Sequence, residues 1–169
     1  YDLYCKMLSE AVKEAKGIQT MDDFETTIDL VMDAFIPDTY ISNEFQKLDI
    51  YKRIAGIESQ QDYDEMLEEL IDRFGEPPKA VLNLLAIARL KALAHQAYIT
   101  EIKQTSRECR ITLYENAKIN PAGIPPLMEK YRRSLQFKND QTPKFLFAPV
   151  GPVVPALTRF AEELLELVE

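Results

Sequence analysis

One histidine, His95, and two cysteines, Cys5 and Cys109, supply all the imidazole and thiol chemistry in this 169-residue chain. A structural zinc takes four such ligands, and a catalytic zinc takes three plus an open position. No metal spacing can be written from three residues scattered this widely. A nucleophilic serine or cysteine needs a base beside it and a third group to orient that base. His95 lies among Ala94, Gln96 and Ala97 near the end of an apolar helical pattern, where a half-exposed histidine is ordinary, and no serine sits in a G-x-S-x-G elbow. Phosphate cradles need closely spaced glycines so that backbone N–H groups can approach the oxygens. The five glycines, Gly17, Gly56, Gly75, Gly123 and Gly151, do not cluster in any one loop. Asp62-Tyr63-Asp64 opens like a calcium loop, but the sixth position is Leu67 where such a loop turns on glycine. An acidic first helical turn, favoured by the helix dipole, is the simpler account of those carboxylates. Acid–base carboxylate pairs stay formally open among 28 acidic residues, with no motif to select one. The expectation is a chain without a catalytic site, a metal or a cofactor.

Charge points to a different kind of activity. The 28 acidic residues outweigh 20 basic ones, for a formal net charge of −8. A protein that grips DNA neutralises phosphates and releases counterions. No direct DNA grip is expected from this balance, and basic partner surfaces are favoured. Lys52-Arg53 and the group Lys130, Arg132 and Arg133 read as solvated helix faces. The patterned feature is the outer face of a helix predicted over 62–74. At 100° per residue, Glu65, Glu69, Asp72 and Arg73 fall within one arc, opposite an apolar stripe of Tyr63, Met66, Leu67, Leu70, Ile71 and Phe74. From the sequence alone, a solvated face is the simpler account. The alternative is a docking surface whose carboxylates and guanidinium make charge-assisted bonds to a partner.

The elements that must hold this face follow from periodicity. Leu3, Met7, Leu8, Ala11, Val12 and Ala15 predict an opening helix, followed by a polar linker from Gly17, so residues 1–20 read as a lead-in and 21–169 as the domain. From Ile28 the period changes to two, predicting a strand with Ile28, Leu30, Met32, Ala34 and Ile36 on one face. Asn43 opens a helix expected to turn Phe45, Leu48, Tyr51, Ile54 and Ala55 inward. Asp62 and Glu65 have capping-box spacing for the next helix, which Gly75 ends. Pro77-Pro78 starts another helix, running to about Tyr98 and apolar almost all round, as suits a central buried helix. Cys109, Ile111 and Leu113 alternate in a strand paired with Ile99 to Lys103, and a second hairpin joins Leu135 and Phe137 to Phe145 and Phe147. Asn120-Pro121 caps a short helix between these hairpins. A last helix after Gly151-Pro152 shows Leu157, Phe160, Ala161, Leu164, Leu165 and Val168. Strands that fall in runs, outnumbered by helices, predict the α+β class, a helix-rich single domain with a central buried helix and short antiparallel strands in hairpins.

The hydrophobic fraction of 46% and charged fraction of 28% suit a globular chain with a core of its own. No apolar run approaches the roughly 18–20 residues of a membrane span. The opening Tyr1-Asp2-Leu3-Tyr4-Cys5 has no basic n-region, so no secretory signal is expected and the cytoplasm is the default. Two separate cysteines read as free thiols in a reducing compartment.

The stretch from Leu67-Glu68-Glu69-Leu70-Ile71-Asp72-Arg73-Phe74-Gly75-Glu76-Pro77-Pro78 through Val81-Leu82-Asn83-Leu84-Leu85-Ala86-Ile87-Ala88-Arg89-Leu90 resembles the C-terminal domain of the bacterial transcription-repair coupling factor family. Ala34-Phe35-Ile36-Pro37-Asp38-Thr39-Tyr40-Ile41 and Leu48-Asp49-Ile50-Tyr51-Lys52-Arg53-Ile54-Ala55 resemble it too, and the opening residues are similar to the helix that follows that family's motor domains. The resemblance is dense from about residue 30 to 98 and looser beyond. It implies a non-catalytic regulatory fragment of an ATP-dependent DNA translocase that removes stalled RNA polymerase and recruits the excision-repair protein UvrA. It further implies that the domain docks on the parent's UvrB-like N-terminal module and masks the UvrA-binding surface. Glu69, Asp72 and Arg73 match the family's contact motif. Glu65 joins them by helical geometry alone. The competing expectations are an accessory domain contacting nucleic acid or RNA polymerase, and a small hydrolase with a carboxylate pair.

Overall fold

The computed structural model describes residues 24–169. The expected opening helix, the linker after it and Cys5 lie outside the described residues. The order is β1 (Thr27–Asp29), α1 (Glu44–Ala55), α2 (Gln60–Phe74), α3 (Lys79–Gln96), β2 (Ile99–Gln104), β3 (Cys109–Leu113), α4 (Ile124–Tyr131), β4 (Leu135–Asn139), β5 (Pro143–Phe147) and α5 (Val153–Leu165). The class is α+β, as expected. The described chain forms two compact units: Met32–Ala92, which is helical, and Phe24–Val31 with Leu93–Glu169, which carries the sheet.

In the helical unit, α1, α2 and α3 close on Ile36, Ile41, Ile50, Tyr51, Ile54, Met66, Leu70, Val81, Leu84 and Leu85, all buried. The Ile36 N–H donates to the Tyr51 hydroxyl at 2.8 Å, satisfying a backbone donor that would otherwise be orphaned inside. α3 supplies Val81, Leu84, Leu85 and Ala88 to this core, as its almost wholly apolar surface predicts. It stops at Gln96, two residues short of the expected end, and Tyr98 turns the chain at φ 63°.

Other details differ from the sequence-based expectations. α2 begins after Ser59, whose side chain accepts the Asp62 N–H at 3.1 Å; Asp62 sits in the first turn and accepts the Glu58 N–H at 3.0 Å. A serine one turn earlier captures the free N–H, so Asp62 closes the capping pair and does not open it. On α1, the inward face is Lys47, Ile50, Tyr51, Ile54 and Ala55, while Phe45 and Leu48 point outward. Phe45 precedes Ile54 by nine residues, half a turn out of phase, so the two cannot share a face. Lys47 buries its stem and carries its ammonium to Asp38. Finally, the alternation from residue 28 to 36 does bury Ile28, Leu30, Ala34 and Ile36, but only Thr27–Asp29 pairs as a strand. Its partner β2 ends at Gln104, whose side-chain carbonyl takes the Val31 N–H at 2.9 Å. Beyond that point no strand edge remains to extend the ladder.

The sheet order is β1-β2-β3-β5-β4, with β1 parallel to β2 and every other pair antiparallel. The β2–β3 and β4–β5 hairpins are those the alternation predicts; the parallel β1 is not. Register aligns Ile28, Ile102, Ile111, Phe145 and Phe137 in one apolar row across all five strands. α5 covers that face, with Phe160 set edge-on to Phe145 at 5.2 Å and stacked on Phe147 at 5.5 Å. Among the described residues, no helix is long and apolar enough to cross a membrane.

Candidate functional site

α1 and α2 are adjacent helices joined by residues 56–59, and each is well defined at its start. Asn43 caps α1 by accepting the Gln46 N–H at 3.0 Å. Along α2, side-chain bonds from Gln60 to Asp64 and from Gln61 to Glu65, each 3.0 Å, tie successive turns. Gly75 ends α2 at φ 86°, and its N–H returns to the Ile71 carbonyl at 3.0 Å. The Tyr40 hydroxyl donates to the Gly75 carbonyl at 2.8 Å and holds this exit in place. The outer face of α2 is therefore presented from a fixed rod.

The four residues singled out from the sequence do share that face, but their states differ. Glu69 is the hub. Its two carboxylate oxygens accept both terminal nitrogens of Arg53 on α1, and the Arg73 Nη1 donates to the same carboxylate at 3.0 Å. The Arg53 hydrogen bonds, with Arg73 behind them, hold the Glu69 carboxyl well below the usual range, at about 2, against the opposing effect of desolvation. The side chain of Glu69 is 32% exposed, so this pair of bonds is at the surface and not in the core. Arg73 also lies over the Phe74 ring, 4.9 Å from its centroid, a second restraint on the same guanidinium. Among the described residues, the exposed Asp72 makes no ion pair and the exposed Glu65 accepts only the Gln61 amide. The arrangement is thus two oriented guanidinium groups braced by one carboxylate, beside two carboxylates open to a partner. That geometry suits recognition, since each open group can make charge-assisted bonds.

Sequence reasoning missed Arg53, which had been grouped with Lys52 as solvated. A contact sixteen residues away across a helix junction leaves no periodic trace. The outward turn of Phe45 also departs from the expectation, although its spacing to Ile54 carries that phase. The remaining candidates for chemistry, His95 and Cys109, belong to the sheet-bearing unit. His95 is half-buried, its ring tilted against Phe24 with centroids 4.5 Å apart, and with Nδ1 3.1 Å from the Thr26 hydroxyl. That hydroxyl donates its proton to the Ile99 carbonyl at 2.6 Å, so the Nδ1 contact requires the imidazole to donate. Cys109 is buried in β3 and its thiol is pushed up to about 11, chiefly by desolvation, far from a reactive thiolate.

The family model for the TRCF domain matches residues 30–124, a span that includes α1, α2 and α3 whole. The chain belongs to the transcription-repair coupling factor family. It is 42% identical over 138 residues to the transcription-repair-coupling factor of Bacillus subtilis, covering 80% of this chain and 12% of that protein. The corresponding Staphylococcus aureus protein is 38% identical over 125 residues, covering 73% of this chain and 11% of its own length. The chain therefore spans about an eighth or less of these curated relatives. A crystal structure of a transcription-repair coupling factor C-terminal domain superposes with a TM-score of 0.77 at 26% identity, covering 88% of this chain and 97% of that one. The TRCF domain described above is thus a C-terminal domain of a transcription-coupled DNA-repair protein.

Proposed function

We propose that this TRCF domain is a non-catalytic docking module, which closes on a UvrB-like N-terminal module of its cytoplasmic parent and masks the surface that UvrA needs. The observation that carries this is the Glu69 hub: a carboxylate that fixes Arg53 and Arg73 in place while Asp72 and Glu65 stay open on the same face. A surface of flexible, unpaired charges loses side-chain entropy on binding; here Glu69 has already ordered the guanidinium groups. Tethering within one ATP-dependent translocase makes the docking intramolecular, at roughly millimolar effective concentration, so a weak interface stays mostly closed. Removing one member of a desolvated charge pair costs about 2–5 kcal/mol, enough to open such a clasp.

The test is the full-length parent carrying Glu69→Lys and Asp72→Lys. UvrA binding should rise while the domain stays folded; UvrA binding equal to wild type contradicts the proposal. A second role, contact with nucleic acid or RNA polymerase, draws on the outward face of the sheet, where Lys103 and Lys138 are exposed. Arg110 and Lys144 on the same face are already paired with Glu101 and Asp140, which leaves few cations to release counterions.

A further inference from the structure

We infer that the docking face continues from α2 onto α1, where Phe45 is its apolar anchor, and that it fits a mixed-charge protein surface with an apolar recess. This rests on the docking role proposed above and adds to it the chemistry of the partner.

Phe45 is 86% exposed, diametrically opposite the fully buried Ile54, and Leu48 one turn later is 37% exposed. Single exposed apolar residues are ordinary on a protein surface. Phe45 differs in what it is joined to. Phe45, Asp49 and Arg53 succeed one another at four-residue spacing, a ridge rising about 6 Å per step. The far end of that ridge is Arg53, fixed by both oxygens of Glu69. An aromatic side chain with two rotatable bonds thus lies on the same helix as the pre-ordered Arg53, about 12 Å along the ridge from it. Aromatic and arginine side chains are the residue types in which binding energy concentrates at protein interfaces.

The charge pattern selects the occupant. Arg53, Glu69 and Arg73 together carry one net positive charge, flanked by the negative Asp49, Asp72 and Glu65. The partner that complements this presents cations to Asp72 and Glu65, a carboxylate to the guanidinium pair, and an apolar recess to Phe45. A phosphate backbone meets three carboxylates here, Asp49, Asp72 and Glu65, which repel it. The occupant is a folded protein surface, and under the docking role it is the parent's own N-terminal module.

The experiment compares full-length parents carrying Phe45→Ser, Phe45→Leu, or the Glu69→Lys/Asp72→Lys pair with wild type. UvrA capture and thermal unfolding are measured on each. Phe45→Ser should raise UvrA capture about tenfold with the unfolding midpoint unchanged, and Phe45→Leu should raise it less, since leucine keeps most of the apolar contact. If the charge reversal raises UvrA capture and Phe45→Ser does not, the anchor is wrong and the docking role stands. If neither changes capture, both are wrong. A wild-type dimer in light scattering that Phe45→Ser dissolves assigns the recess to a second copy and overturns the inference.

Discussion

In the sheet-bearing unit, the large apolar side chains left exposed are Val31 and Val150, both outside regular elements; in the helical unit they are Phe35, Phe45, Leu48, Ile71 and Leu82, four of them on helices. The sheet accounts for the first half of that difference. Its apolar row runs unbroken across five strands, and Phe160 and Leu157 of α5 close over it. The three helices of the other unit close on one core and leave outer faces exposed. Most of those faces are polar. α1 carries instead an exposed phenylalanine on the ridge that leads to the charged hub. One unit buries nearly all of its large apolar side chains, and the other leaves several exposed on its helices.

The comparison breaks most visibly if Phe160 proves dispensable. Phe160→Ala removes a ring that touches Phe145, Phe147 and Tyr131, and should cost about 3–5 kcal/mol in denaturant unfolding. Gly75→Ala is expected to cost about 1–3 kcal/mol. Nothing lies within 4 Å of the added methyl, so this cost reports only the backbone at φ 86° that ends α2. Glu69→Gln should cost less, up to about 1 kcal/mol near neutral pH, because the ion pairs it weakens are at the surface. Its pH dependence has a definite sign. The folded carboxyl is held at about 2, below its ordinary 4.5, so its contribution is fully present above that ordinary value. The contribution fades as the pH falls toward 2, and the stabilities of wild type and Glu69→Gln should converge over that acid range in parallel unfolding curves. Smallest of all, Phe45→Ser should change stability by no more than about 0.5 kcal/mol, as for other exposed positions. A stability loss of several kcal/mol there would show that Phe45 belongs to a core and not to a contact face.

The α2 face was legible because one helix and its 100° phase contain it: Glu65, Glu69, Asp72 and Arg73 needed no tertiary information. Both antiparallel hairpins were legible for the same local reason, an alternation bounded by turns. What depended on distant partners was not. β1 pairs in parallel with a strand more than seventy residues later, Thr27 against Glu101, and its short alternation cannot specify that neighbour. Lys47 reads as an exposed helix position until Asp38 is seen to receive its ammonium. Arg53 turned out to be half of the Glu69 clasp only once α1 and α2 were placed side by side. The consequence is a change of roles within the site. Glu69 acts as a brace for two arginines, and Asp72, with no ion-pair partner among the described residues, is the carboxylate a partner cation can take.

Asp72→Lys is therefore the cleaner probe, since it disturbs no internal pair. The decisive measurement is binding of the purified 169-residue chain to a separately produced UvrB-like module, wild type against Asp72→Lys, by titration at constant salt. Saturable binding by wild type, weakened at least about tenfold by Asp72→Lys, is the predicted result. Equal binding by the two proteins, or none by wild type at millimolar concentration, contradicts it.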